Sequence, residues 1–411
     1  MRIVIVGNGP AALAAVEAIR ERDQASGITI LSGDSGAGYT PCFLAKYVAG
    51  SVDIGGLALR PEDFYERHHV ELVTGHEVTA VRPEDNVVVL DDGSRIGYDR
   101  LLIASGAEPL MPEGPDLSGQ GVFAFRTLTD AAAIRAAAEH VRDAGVLGSG
   151  FVAMEIAEAL AETGAAVTVI ARRERILRRI FDAEVAGMVE AHMSGNGVRF
   201  LKGRDLAGVE RGPGSTELSA VVLSDGERLA CDMLVVGVGM RPNIALVAGT
   251  SIATGRGILT DAAMRTSVRN VYAAGDVAEA EIEGIRKANL IHPNAVATGH
   301  VAGYNIAGGD QRMSAHLADM NVLTVFGRSF LAVGALEGEK ILRRSAGPDG
   351  LVKVFADEAG FIKGVELVGD VTRGGLYASL IARNVNVSAT PDLLAPTFNY
   401  GETSGQAAWA S

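Results

Sequence analysis

Two short stretches decide the fold: Val4-Ile5-Val6-Gly7-Asn8-Gly9-Pro10-Ala11-Ala12 near the start, and Val146-Leu147-Gly148-Ser149-Gly150-Phe151-Val152-Ala153 in the middle. In each, an apolar strand-like run meets two glycines spaced by one residue, and a small residue follows three positions after the second. The first glycine permits a tight turn, the second leaves room for a pyrophosphate, and Ala12 or Ala153 lets the following helix pack close to the strand. The helix start then offers free N–H groups and a partial positive charge to phosphate oxygens. A helix-like segment follows each turn, and a second strand follows the helix, Ile28–Leu31 in one case and Val167–Ile170 in the other. Two strand–helix–strand units of this kind predict two dinucleotide sites.

What ends the second strand distinguishes the sites. Asp34 stands about 20 residues beyond the first glycine turn, where a carboxylate accepts hydrogen bonds from both hydroxyls of an adenosine ribose. The second unit has Ala171-Arg172-Arg173 in the equivalent place. A carboxylate there would repel a 2′-phosphate, whereas two guanidinium groups bind one. That favours NADPH over NADH, the alternative being a solvated basic turn leading into Arg175, Arg178 and Arg179.

Outward from these units, a polar, turn-rich excursion runs from Gly50 to Ser94, and an apolar strand, Leu101–Ala104, closes on Ser105-Gly106. A similar excursion around Gly226 precedes Leu234–Gly239, and Val271–Ala274 ends at Gly275-Asp276. From about Ala315 the pattern changes to short strands with turns at Asp349-Gly350 and Ala359-Gly360, then a helix around Tyr377 to Arg383. The expected architecture is α/β: two Rossmann-like dinucleotide-binding domains and a small α+β C-terminal domain. A chain of 411 residues exceeds what one core supports. With 37 basic against 50 acidic residues the net charge is -13, which argues against nucleic acid or an anionic membrane as partner. The start Met1–Val6 reads as a strand, so no leader is expected, and two distant cysteines, Cys42 and Cys231, suggest neither a disulfide framework nor a metal site. A cytoplasmic protein without a metal is expected.

These motifs resemble the two-dinucleotide flavoproteins that include the pyridine nucleotide-disulfide reductases and the ferredoxin and rubredoxin reductases. Tyr98–Ala107 is similar to that family's connecting strand, and Val271–Asp276 to its second flavin motif. The resemblance implies a discontinuous FAD domain over residues 1–112 and 242–312, an NAD(P)H domain over 113–241, and a C-terminal interface domain over 313–411. It implies cofactor contacts from Gly7, Gly9, Pro10, Ala11, Ala12, Asp34, Lys46, Ser105, Gly106, Arg126, Gly239, Gly275, Asp276, Asn294 and Ala295. Gly148, Gly150, Phe151, Val152, Arg172 and Arg173 would hold the nicotinamide dinucleotide, with NADH the lesser choice. Glu155 and Lys46 stand where relatives pair a glutamate and a lysine beside the flavin, and His292 where a flavin-ring contact falls.

The acceptor is less determined. Cys42, in Tyr39-Thr40-Pro41-Cys42-Phe43-Leu44-Ala45-Lys46, has Tyr47 where glutathione reductases carry a second cysteine. A lone cysteine here resembles coenzyme A-disulfide reductases, but the same stretch aligns with the ferredoxin reductase pattern YDRPPLSK, in which no cysteine takes part. The leading expectation is electron delivery to a ferredoxin- or rubredoxin-like carrier or a partner subunit. A Cys42-based reductase of a small disulfide and a redox-sensing flavoprotein that acts by binding partners are the alternatives, and homodimer formation stays open.

Overall fold

Strand Arg2–Val6 is buried on both faces: Ile3 and Ile5 join one apolar cluster, Val4 and Val6 the other. That two-sided burial is what a central parallel strand requires, because helices or further sheet cover each side. It pairs in parallel with Gly27–Ser32 and with Arg100–Ile103, and the complete sheet runs Val271–Ala273, Arg100–Ile103, Arg2–Val6, Gly27–Ser32, Val70–Thr74. The computed structural model describes residues 1–212, 214–314, 319–345, 350–388, 390, 393–395 and 398.

The chain divides into two compact units. The first comprises Met1–Leu110, Arg126–Ala133 and Gly239–Ala315. Over one face of its sheet lie helices Pro10–Arg22 and His292–Ile306, whose backbones meet. A Cβ on Gly299 would sit 2.2 Å from the Ala11 carbonyl oxygen, and one on Gly303 2.3 Å from that of Ala15. The excursion after Gly50, expected as turns, contributes Val70–Thr74 to the main sheet. It also forms a three-stranded antiparallel sheet of Val78–Arg82, Val87–Leu90 and Arg95–Gly97. Val78, Val81, Val88 and Leu90 are buried, and these sparse apolar positions are enough to fix short strands once a core is beneath them.

The second unit comprises Met111–Phe125, Ile134–Val238 and His316–Ser411. Its parallel sheet runs Arg199–Lys202, Ala166–Ala171, Asp143–Leu147, Met233–Val236, Val122–Ala124. The excursion around Gly226 forms a small antiparallel sheet of Leu206–Arg211, Leu218–Leu223 and Arg228–Ala230. A five-stranded antiparallel sheet follows, in the order Met320–Val325, Arg328–Gly334, Ile362–Val368, Leu351–Ala356, Lys340–Ser345, with helix Gly374–Ala382 packed on it. The Ala359-Gly360 turn is present; Asp349, of the other expected turn, and Ala315 lie outside the described residues. Among the described residues no helix is long and apolar enough to cross a membrane.

Candidate dinucleotide sites

In the first unit the strand ends that carry the glycine motifs converge at the carboxyl edge of the parallel sheet, where open α/β sheets take their ligands. Gly7 has φ +105°, and a Cβ there would lie 2.2 Å from the Ala104 carbonyl oxygen, so only glycine makes the turn. Gly9 differs. It caps helix Pro10–Arg22 without a side-chain cap, and a Cβ on it would meet no atom within 4 Å. Space above an uncapped 13-residue helix start is the cradle a pyrophosphate needs. Pro10 opens the helix, Ala11 is buried against Gly275 and Gly299, and Ala12 is fully buried.

Asp34 is exposed beyond the second strand, and its Oδ2 accepts a 2.7 Å hydrogen bond from the Tyr39 hydroxyl. The same hydroxyl accepts from the Leu128 N–H at 3.1 Å. Burial, reinforced by the Asp34 carboxylate, pushes the Tyr39 phenol far above its ordinary range, so it stays a donor that orients the acid. Tyr39 is a residue that motif reading passed over; its signal was only its place five residues after the acid.

Ser105 donates to the Asn243 carbonyl at 3.0 Å, Gly106 turns with φ +71°, and Gly239 turns with φ +134° and accepts from the Leu110 N–H. Arg126 bonds Asp276 at 3.1 Å and also donates to the Ala107 carbonyl. Asp276 is raised by burial, with Arg126 opposing. Nearby, His292 begins the helix His292–Ile306; burial and then Arg60 lower its pKa, so it is neutral at pH 7, and its Nδ1 is buried without a hydrogen-bond partner. A buried unpaired nitrogen of this kind is costly unless a ligand completes it. The residues fit a flavin dinucleotide. Asn294 is otherwise engaged, donating to the Asn289 carbonyl, while Ala295 is buried beside Gly275. Cys42 is exposed in a single 3-10 turn, Pro41–Phe43, and the exposed Lys46 ammonium lies 5.0 Å from the Phe43 ring centre. Cys231 is buried and donates to the Met233 carbonyl; burial pushes its thiol up to about 12, as suits a core residue.

The second unit repeats the geometry. Gly148 has φ +143° with a Cβ position 2.3 Å from the Gly237 carbonyl oxygen, and Gly150 caps helix Phe151–Glu162 with open space above it. Ala153 is fully buried, while Phe151, Val152 and Glu155 are half-buried on the first turns. Ala171 is buried at the end of its strand, and Arg172 and Arg173 are exposed; Arg172 lies 3.9 Å from Asp205. The loop they begin returns to the glycine turn, since the Leu177 N–H donates to the Ser149 carbonyl at 2.7 Å. Lys46 belongs to the first unit and Glu155 to the second.

The chain belongs to the pyridine nucleotide-disulphide oxidoreductase family, whose sequence pattern matches residues 1–299. It is 32% identical over 394 residues to the NADH-dependent phenylglyoxylate dehydrogenase subunit epsilon of Aromatoleum evansii, covering 94% of this chain and 93% of that protein. The rubredoxin-NAD(+) reductase of Pseudomonas putida is 30% identical over 75% of this chain and 80% of its own length. Among solved structures, the covalent putidaredoxin reductase–putidaredoxin complex matches with a TM-score of 0.86 and 25% identity, over 95% of this chain and 96% of that one. The protein is therefore an FAD-dependent NAD(P)H oxidoreductase with the α/β architecture of that family.

Proposed function

We propose that this member of the family takes reducing equivalents from a nicotinamide dinucleotide, NADPH preferred, and delivers them through FAD to a small iron–sulfur or rubredoxin-like carrier or to a partner subunit. The observation that carries the reading is the pair of uncapped, open helix starts at Gly9 and Gly150, one in each unit, which gives one chain two pyrophosphate cradles. FAD, when bound, supplies acceptance of a hydride and release of single electrons. The protein's part is binding and electrostatics. Gly7, Gly9 and Asp34 would hold the adenosine end, and Ser105, Arg126, Asp276 and His292 the far end, with Lys46 adding a positive charge in the same unit. Burial raises the Asp276 carboxyl and Arg126 opposes that rise, at the place where its oxygens would bond a polyol chain.

Two things support a protein acceptor. Similarity to an enzyme subunit and to a reductase crystallised with its carrier extends along almost the whole chain. Cys42 has no second cysteine near it in sequence. The preference for NADPH rests on two exposed arginines, Arg172 and Arg173, standing where the strand could have ended in a carboxylate, although the Aromatoleum relative is named for NADH. The test is anaerobic reduction of purified ferredoxins and rubredoxins by the yellow protein, with NADPH and NADH compared by stopped flow. Carrier reduction well above the rate with free FAD is expected, faster from NADPH. A tenfold advantage for NADH would show that Arg172 and Arg173 do not hold a 2′-phosphate. Cys42→Ser should leave carrier reduction intact; its loss would transfer the proposal to a thiol-based reductase, which the exposure of Cys42 permits.

A further inference from the structure

A charged row crosses the C-terminal sheet and ends on the nucleotide half of the same unit. Glu366 is paired across strands with Lys353, and Lys353 with Arg343. Opposite them lies the start of helix Ala183–Gly195, which brings Asp182, its N-cap, and Glu184. Lys353, 7% exposed, bonds both Asp182 and Glu184, and Arg343 bonds Glu184 at 2.7 Å. Glu366 is fully buried; its Oε1 accepts the Asp182 N–H at 2.7 Å, and its Oε2 is buried without a partner. Among the described residues of this row, three acids thus share two bases, of which Lys353 is the buried one.

Asp182 closes the segment that begins at Arg172. That segment is tied at its middle by the bond from Leu177 to Ser149, inside the second glycine turn. At its end, Phe181 packs between Phe151, the first residue of the glycine-turn helix, and Phe330 of the C-terminal sheet, with ring centres 6.0 and 6.4 Å apart. Asp182 therefore holds one end of the loop, and the C-terminal sheet holds Asp182.

We propose that Glu366 is a positioning residue for the nicotinamide dinucleotide: it fixes Asp182, and through Asp182 the loop that carries Arg172 and Arg173. Burial pushes the Glu366 carboxyl up to about 8, with the neighbouring Asp182 charge adding to the rise and its N–H and Lys353 opposing it. Lys353 keeps Asp182 below its usual range in spite of burial. On its other flank Glu366 faces Ala332, which offers no charge. Loss of the Glu366 proton adds a carboxylate that competes with Asp182 and Glu184 for the single Lys353 ammonium. The N-cap is then weakened, and the arginine loop with it. The inference rests on the proposed NAD(P)H site at that loop.

The experiment is calorimetric binding of NADP⁺ to the oxidised holoenzyme between pH 7 and 9.5, in the wild type, in Glu366→Gln and in Arg172→Ala/Arg173→Ala. Affinity of the wild type is expected to fall about fivefold or more across this range, with its midpoint near pH 8. Glu366→Gln, which keeps the carbonyl acceptor and cannot ionise, should hold the pH 7 affinity throughout. An unchanged pH profile in Glu366→Gln, or a flat profile in the wild type, overturns the role of Glu366. Undiminished NADP⁺ affinity in the double arginine variant overturns the site instead. Should Glu366→Gln fail to fold, the infrared band of a protonated carboxyl in the wild type gives the second measurement: its loss near pH 8 in step with NADP⁺ affinity supports the proposal, and its absence at pH 7 refutes it.

Discussion

At the scale of single residues, the two glycines of each motif have different physical duties. Gly7 and Gly148 are required by the chain itself, since each has a positive φ and a carbonyl oxygen where a side chain would begin. The chain itself does not require glycine at 9 or 150, because a Cβ on either meets nothing; the proposed pyrophosphates would. Gly7→Ala should therefore lower the melting temperature of the protein even without FAD, by a few kcal/mol of strain and clash. Gly9→Ala should melt like the wild type in the absence of FAD but retain much less flavin, read from the ratio of visible to protein absorbance. Equal flavin content in Gly9→Ala and wild type would refute a pyrophosphate at that turn. These motifs were legible in sequence because a backbone need and a ligand need both select glycine. Tyr39 and His292 were less legible: a phenol that orients Asp34 and an unpaired buried imidazole nitrogen are defined by their surroundings, and no spacing announces them.

At the scale of elements, helix Ala183–Gly195 shows how a cap links sheets. Asp182 accepts from the Val185 N–H at 2.9 Å and at the same time receives the Lys353 ammonium. Asp182→Ala should cost about 1 kcal/mol for the lost cap, and more because Lys353 loses a partner in a buried setting. Asp182→Asn keeps the cap and isolates the second effect. Urea denaturation at pH 7 measures both; a loss below about 0.5 kcal/mol for Asp182→Ala would show that the cap and the ion pair are replaceable. The sign of the pH effect at Glu366 follows from a folded-state pKa raised from 4.5 to about 8. Stability from this group is complete below about 4.5 and is lost as pH rises through 8, so melts should weaken from pH 6 to 9 in the wild type and not in Glu366→Gln. Helices and parallel strands of the glycine units were legible because their apolar runs are long. The short strands after Gly50 were not, because one or two buried valines per strand give too weak an alternation.

At the scale of the whole molecule, each compact unit contains one complete glycine cradle. Hydrogen exchange should then answer to the two cofactors separately. Removal of FAD should raise exchange in Arg2–Val6 and Pro10–Arg22, and addition of NADP⁺ should slow it in Asp143–Leu147 and Phe151–Glu162. Changes spread evenly over both units on removing FAD would contradict the assignment. The sequence by itself determined that the chain has two dinucleotide motifs, one followed by an acid and one by arginines, since local backbone geometry and ligand charge act within about 30 residues. Only the tertiary structure decided how the carboxylates and arginines are held. It placed Arg126 on Asp276 from 150 positions away, and Lys353 and Glu366 on Asp182 from 171 and 184. Contacts of that range arise from the packing of elements whose own sequences encode only which face is apolar. The partners of a buried charge are therefore set by the fold and not by any motif.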